Sequence, residues 1–255
     1  MIINIKQEFY KQRHKRIIWF IPVILLILMI MALCTLGYGE SKRLLMTCYD
    51  APDWIMFILV IIGSTMFSME FQNNAILTIL YKASKKLDVY LSKYIVVIIY
   101  DCFLHVLAII FTIGLKSITM GTTITWTTIY EYHQPIWLNM LNTMLIDLLT
   151  TMLIISLVFL LSCLITSNAI VITTSFLVIF LGQAVSANLL NLGKFVNVLK
   201  WNPLNMVSLT RQYYNFAMYY STTHLENVQI ILGTLGYLLI FFILGYMIFR
   251  KRKFY

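Results

Sequence analysis

Charge and chain breakers are what this sequence has least of. Charged residues are 11% of its 255 positions, against 60% hydrophobic ones, and there are only 10 glycines, 4 prolines and 4 cysteines. Mean hydropathy is +0.84. A water-soluble fold of this size cannot hide so much apolar surface, so its solvent is lipid. Cys34, Cys102 and Cys163 fall inside apolar runs and Cys48 is alone in a loop. No pair has metal-binding spacing, and no disulfide framework is implied. The motifs of nucleotide hydrolysis, zinc proteolysis and serine hydrolysis (G-x-x-x-x-G-K-[ST], H-E-x-x-H and G-x-S-x-G) are absent. The four histidines, His14, His105, His133 and His224, are scattered over different regions. An intramembrane enzyme is therefore a weak reading.

Long apolar runs are what the chain has instead. A span needs about 20 apolar residues, and six candidates lie at about 17–36, 54–70, 94–115, 142–165, 168–190 and 228–249. The expected fold is an all-α integral membrane protein, with residues 1–255 forming one transmembrane domain. The first run is too long for a signal peptide and lacks a cleavage site, so it reads as a retained span. Only residues 166–168 separate the fourth and fifth runs, a tight helical hairpin.

The net charge of +9 reads as topology rather than as affinity for nucleic acid. With the N-terminus inside, 13 of the 19 Lys and Arg residues lie in inner segments and 6 in outer ones. That split predicts a multi-pass cell-membrane protein with both termini cytoplasmic. Trp54, Trp126, Trp137 and Trp201 would form an outer aromatic belt, with Trp19 at the inner boundary. Residues 1–16 place Ile2, Ile5, Phe9 and Tyr10 at helical spacing, with Lys6, Lys11, Arg13 and Lys15 elsewhere. This is the pattern of an amphipathic helix on the inner membrane surface. The long outer segment 191–227, rich in aromatics, predicts short interfacial helices.

Two sets of polar residues stand out. Asp101 and His105 are four apart inside the third run and share a helix face. Asp147 enters the fourth run from the other side. Charge at membrane depth costs about 2.5–3.5 kcal/mol on insertion scales, so these groups should face protein or water. They read either as a substrate path or proton relay, or as a satisfied pair that orients the span. The sequence leaves the reach from Asp147 to His105 open. The second set is the segment 70–93, EFQNNAILTILYKASKKLDVYLSK, which is too polar to cross a bilayer and lies on the inner side by charge count. Its lysines fit ordinary topology and anionic lipid. Its apolar residues Ile76, Leu77, Leu80 and Tyr81 need lipid or a protein groove.

The layout resembles the membrane subunit of type 2 ABC exporters, particularly Gram-positive bacterial ones that handle antimicrobial or toxic peptides. The resemblance is carried by the N-terminal helix, the short second span ending in FSMEFQNNAILTIL, the turn YKASKKLDVYLSKYI and the basic tail FRKRKFY. Glu70 and Phe71 match the family's acidic–aromatic pair, Asn73 and Asn74 its polar cluster, Ser84 and Lys85 its turn, and Lys93 the lysine before the third span. Ala75 replaces the usual Thr, and the usual Pro is missing. The resemblance implies a coupling helix at about 76–86 that docks in a separate ATPase. Glu70, Phe71, Asn73, Asn74, Ile76, Leu77, Leu80, Tyr81, Ser84, Lys85, Lys86 and Lys93 would belong to that element. Ile5, Lys6, Phe9, Lys11 and Arg13 of the N-terminal helix would brace the same partner. It further implies two ATPase subunits that bind ATP and Mg, a second permease subunit, lipid contact and a peptide or other amphipathic cargo. This chain would hold no cofactor or metal and catalyse nothing itself. Self-protection against bacteriocins, export of drugs or lipids by the same architecture, and a non-transporting sensor or assembly factor are the alternatives.

Overall fold

The computed structural model describes residues 1–73, 75–82, 85–121, 123–191 and 196–252, with backbone alone for residues 38, 80, 82 and 191. Asn74, Ser84 and the Leu80 side chain, named above as site residues, lie outside the described residues. Helices are the regular elements of the described residues, with no strand. In chain order the helices are α1 (Ile2–Arg13), α2 (Arg16–Leu36), α3 (Ser41–Met46), α4 (Ala51–Gln72), α5 (Ala75–Lys82), α6 (Lys86–Thr119) and α7 (Ile136–Leu164). They continue with α8 (Asn168–Asn191), α9 (Val196–Leu199), α10 (Pro203–Met206), α11 (Leu209–Tyr214), α12 (Phe216–Thr223) and α13 (Asn227–Lys251). Six of them, α2, α4, α6, α7, α8 and α13, are long and apolar enough to cross a membrane. The chain is a multi-pass, all-α membrane protein.

The expected spans are correct in number and order, but several helices outrun them. α6 begins eight residues before the expected position 94, and α7 begins six before 142. At 1.5 Å per residue the 34 residues of α6 reach about 51 Å, well beyond a hydrocarbon core of about 30 Å. A hydropathy run marks where lipid ends. The helix continues because its backbone hydrogen bonds do not depend on the solvent around it.

Local chemistry sets the other ends. Pro52 opens α4 at its first turn, where no N–H partner is lost. Gly37, at φ +66°, ends α2 in a conformation costly for residues with a side chain. Asn202 caps α10 by accepting from the Asn205 N–H, and Pro203 opens that helix. The expected short helices between the last two spans are α9 to α12. The expected hairpin is the break at 165–167 between α7 and α8.

α7 is the hub, packed against α13, α4, α6, α8, α3 and α11. A β-carbon on Gly245 of α13 would overlap the Tyr90 hydroxyl of α6, so glycine keeps this close approach open. Below it, Phe67, Tyr90, Phe159 and Phe249 pack ring against ring, with Phe67 to Phe159 at 5.1 Å in an edge contact. This aromatic core sits at the end of the bundle that carries α1, α5 and the chain's last helical turn, called here the basic end.

Candidate functional site

At the basic end the expected amphipathic helix is present, with polar side chains against the protein and most of its apolar stripe outward. The side chains α1 buries against the protein are Glu8 and Gln12, which are polar. Phe9, Tyr10 and Ile2 point outward at 49%, 64% and 71% exposure, while Ile5 packs on the core's edge. The reason is charge. Lys93, on the second turn of α6, is fully buried with its ammonium 3.0 Å from Glu8 Oε2 and 2.7 Å from Glu70 Oε2. Lys11 lies 2.8 Å from Glu8 Oε1 and 3.1 Å from Glu70 Oε1. Two acids and two bases thus alternate in one closed set joining α1, the end of α4 and the start of α6. Gln12 adds a contact from its side-chain amide to the Met66 sulfur of α4. Burial pushes the Glu8 carboxyl upward, but Lys93 and Lys11 outweigh it and hold the group below its ordinary value of 4.5. Burial works against the Lys11 ammonium, and its hydrogen bonds and attraction to Glu8 and Glu70 still leave it raised.

The structure redistributes several of the expected coupling residues. Lys93 is an interior charge, not a surface one. Lys86 donates to the carbonyls of Arg250 and Arg252, at 3.0 and 3.3 Å, and so closes the C-terminal end of α13. Phe71 is buried against Phe67 and Phe249, with the Arg252 guanidinium 4.3 Å over its ring. Arg252 also donates to the Cys163 carbonyl at 2.7 Å, capping α7. Asn73 ends α4, and Lys85, exposed, precedes α6. Lys6 and Arg13 are exposed on α1.

α5 lies at the place expected for a coupling helix. The single apolar face assigned to it splits, however. Ile76 is 2% exposed and packs inward, whereas Leu77 is 40% and Tyr81 92% exposed. Leu77 and Tyr81, four apart, share the outward face, while Ile76, about 100° round the helix from Leu77, turns inward.

A second polar set lies midway along α6. His105 Nε2 is 3.0 Å from Asp147 Oδ2 of α7. His105 Nδ1 is 2.9 Å from the Asp101 carbonyl oxygen and 3.0 Å from that residue's carboxylate. The three expected residues are therefore in one contact set. Thr151 donates to Asp101 at 2.7 Å, and Thr210, from α11, donates to Asp147 at 2.8 Å. Thr210 also lies 2.8 Å from the Thr150 hydroxyl. A narrow polar crevice runs from Asp147 past Thr210 to Asp53 and Arg211 at the far end of the bundle. There Arg211 bonds Asp53 at 3.0 Å and Gln183 at 2.8 Å.

The sequence reading missed Glu8, Gln12, Thr151 and Thr210. For Glu8 a signal existed: an acid three residues before a lysine on the amphipathic N-terminal helix. For Thr210 none did, because only the fold brings α11 beside α7.

Residues 4–182 match the family described as ABC-2 family transporter protein, and the chain belongs to that family. It is thus a membrane permease subunit of an ABC transporter, a transport subunit that works with ATPase subunits. Comparison with curated proteins yields no significant match.

Proposed function

We propose that this permease exports an amphipathic or hydrophobic peptide, a toxin or an antimicrobial peptide, powered by two separate ATPase subunits that bind ATP and Mg. The basic end faces the cytoplasm in this reading, as the charge asymmetry favours. Two permease subunits would share the work. The observation that carries the coupling part is the charged set Glu8–Lys93–Glu70–Lys11 beside α5. It ties α1, α4 and α6 into one body, so a push on α5 is passed to two spans rather than absorbed by a loose loop. Leu77, Tyr81 and Lys85 form the exposed docking surface, with Asn73 at its edge and Lys6, Phe9 and Arg13 beside it on α1. Asp101, His105 and Asp147 are the proposed polar lining of the transport path. The peptide cargo rests on the family resemblance alone.

Tyr81→Asp and Leu77→Asp place a charge on the docking surface without touching the core. With the partner ATPase co-expressed, either variant should lose most of the ATPase that co-purifies with the permease and the ATP-driven transport that depends on it. The permease's own melting temperature should hold. Full ATPase retention in both variants would remove α5 as the docking element. Accumulation of labelled peptide in inside-out vesicles, with and without ATP, tests the cargo.

A further inference from the structure

The corner between α1 and α2 holds a groove that borders the proposed ATPase-docking surface and shares Phe9 and Arg13 with it. It has a volume of about 400 Å³ and runs between α2 and α6, with Pro22, Ile99, Tyr100 and Phe103 among its walls. The polar atoms along it are turned back onto the protein: the Tyr100 hydroxyl donates to the Ile18 carbonyl at 3.3 Å, and the Trp19 indole donates to the Arg13 carbonyl at 2.9 Å. What remains is an aliphatic and aromatic trough. Its mouth is different, because Arg13 and Trp19 also line a wider opening shared with His14 and Arg16. Among the described residues no carboxylate lies within ion-pair distance of Arg13 or Arg16, although Lys11 and Lys93 in the same corner are both paired.

We propose that this groove binds one anionic phospholipid, with the phosphate at Arg13 and Arg16 and one acyl chain along Pro22, Ile99, Tyr100 and Phe103. Three features converge on that occupant. The groove lies within the first two turns of α2 and the middle of α6, both apolar enough to span a membrane, which fits the depth of one leaflet. Trp19, at the mouth, is the residue type that settles at the headgroup level. Apolar walls below and guanidinium groups above match the two halves of an acidic lipid, and arginine suits phosphate through its fork of donors. A second copy of the chain would bring little anionic charge here, since Glu8, Glu70 and Asp88 at this end are already engaged. The inference rests on the proposed orientation only in naming the leaflet as the cytoplasmic one.

Delipidated full-length permease, offered phosphatidylglycerol or phosphatidylcholine, can be read by native mass spectrometry for bound lipid. Phosphatidylglycerol should be retained in preference. Retention should drop roughly tenfold both in Arg13→Gln/Arg16→Gln, which removes the headgroup contacts, and in Ile99→Trp, which fills the trough. Equal retention of the two lipids overturns the site. So does loss in the arginine variant alone, which means surface attraction without a seated chain, or loss in Ile99→Trp alone, which means apolar contact without headgroup recognition. A readout on the unaltered chain guards against misfolded variants: phosphatidylglycerol with a photoreactive acyl chain should label residues 96–103. Labelling spread evenly over the six spans would refute the site. ATPase co-purification, which tests α5, is a separate measurement, so failure of either reading shows by itself.

Discussion

α6 carries two buried charged sets within four turns, and they are built on opposite plans. At Lys93 two acids meet two bases drawn from three elements, and one member, Lys11, still reaches water with 41% of its side chain. At His105 two carboxylates face one imidazole, and threonine hydroxyls from α7 and α11 supply the remaining hydrogen bonds. The first set balances its charge and closes on itself, which suits a joint that must transmit force. The second is short of positive charge and opens toward a polar crevice, which suits a place where something polar is handled. Burial alone says nothing of role; the balance of partners around each charge does.

The comparison breaks most sharply at Lys93. Lys93→Ala leaves Glu8 and Glu70 buried without their shared cation, and losing one partner of a buried pair costs about 3–5 kcal/mol. The expected result is a large fall in melting temperature and early proteolysis within α1. Lys93→Ala combined with Glu8→Gln and Glu70→Gln should recover much of it. If Lys93→Ala melts like the parent chain, the closed set is not the joint. His105→Ala should cost less, about 1–3 kcal/mol, because Thr151 and Thr210 still hold the carboxylates. His105→Gln, which keeps one donor, should restore part of the stability, and transport assays on the two variants separate a polar lining from packing. Thr210→Val should cost about 1 kcal/mol, the worth of one hydrogen bond, and show as faster amide exchange in α11.

The smallest effect is the one of pH. The Glu8 carboxyl sits below 4.5 in the folded chain. Below that ordinary value the unfolded chain takes up a proton that the folded one resists. The contribution of Glu8 is therefore complete above about pH 4.5 and fades as pH falls through the lower, folded value. Protease cleavage of α1 should rise over that acidic range in the parent and stay flat in Glu8→Gln. A rise starting near neutral pH would assign the sensitivity to another group.

The sequence carried far on some questions and stopped short on others, and particular residues show why. Span number and order, the reversal at 165–167, and α5 between spans two and three were all legible, since each depends on runs and breaks along the chain. The N-terminal helix was legible as an amphipathic surface helix, but not in what its polar side holds. Spacing showed an apolar stripe at Ile5 and Phe9, and nothing local shows that Lys93, 85 positions from Glu8, draws the polar side inward. Ile76 and Leu77 were read as one face from their shared apolar character, and helical geometry divided them. Asp101 and His105 were legible as a pair from their spacing of four, whereas Asp147 and Thr210 joined them only through packing.

The sequence by itself determined that this chain crosses a membrane six times, where its polar segments fall, and that its charge crowds one end. Those are properties of contiguous residues, set by transfer between water and lipid. Only the tertiary structure decided which charges are buried and which are free, because a buried charge is defined by partners that come from elsewhere in the chain. Glu8, Glu70 and Lys93 lie on three helices, and Asp147 and Thr210 on two more. Their energies exist only once those helices meet.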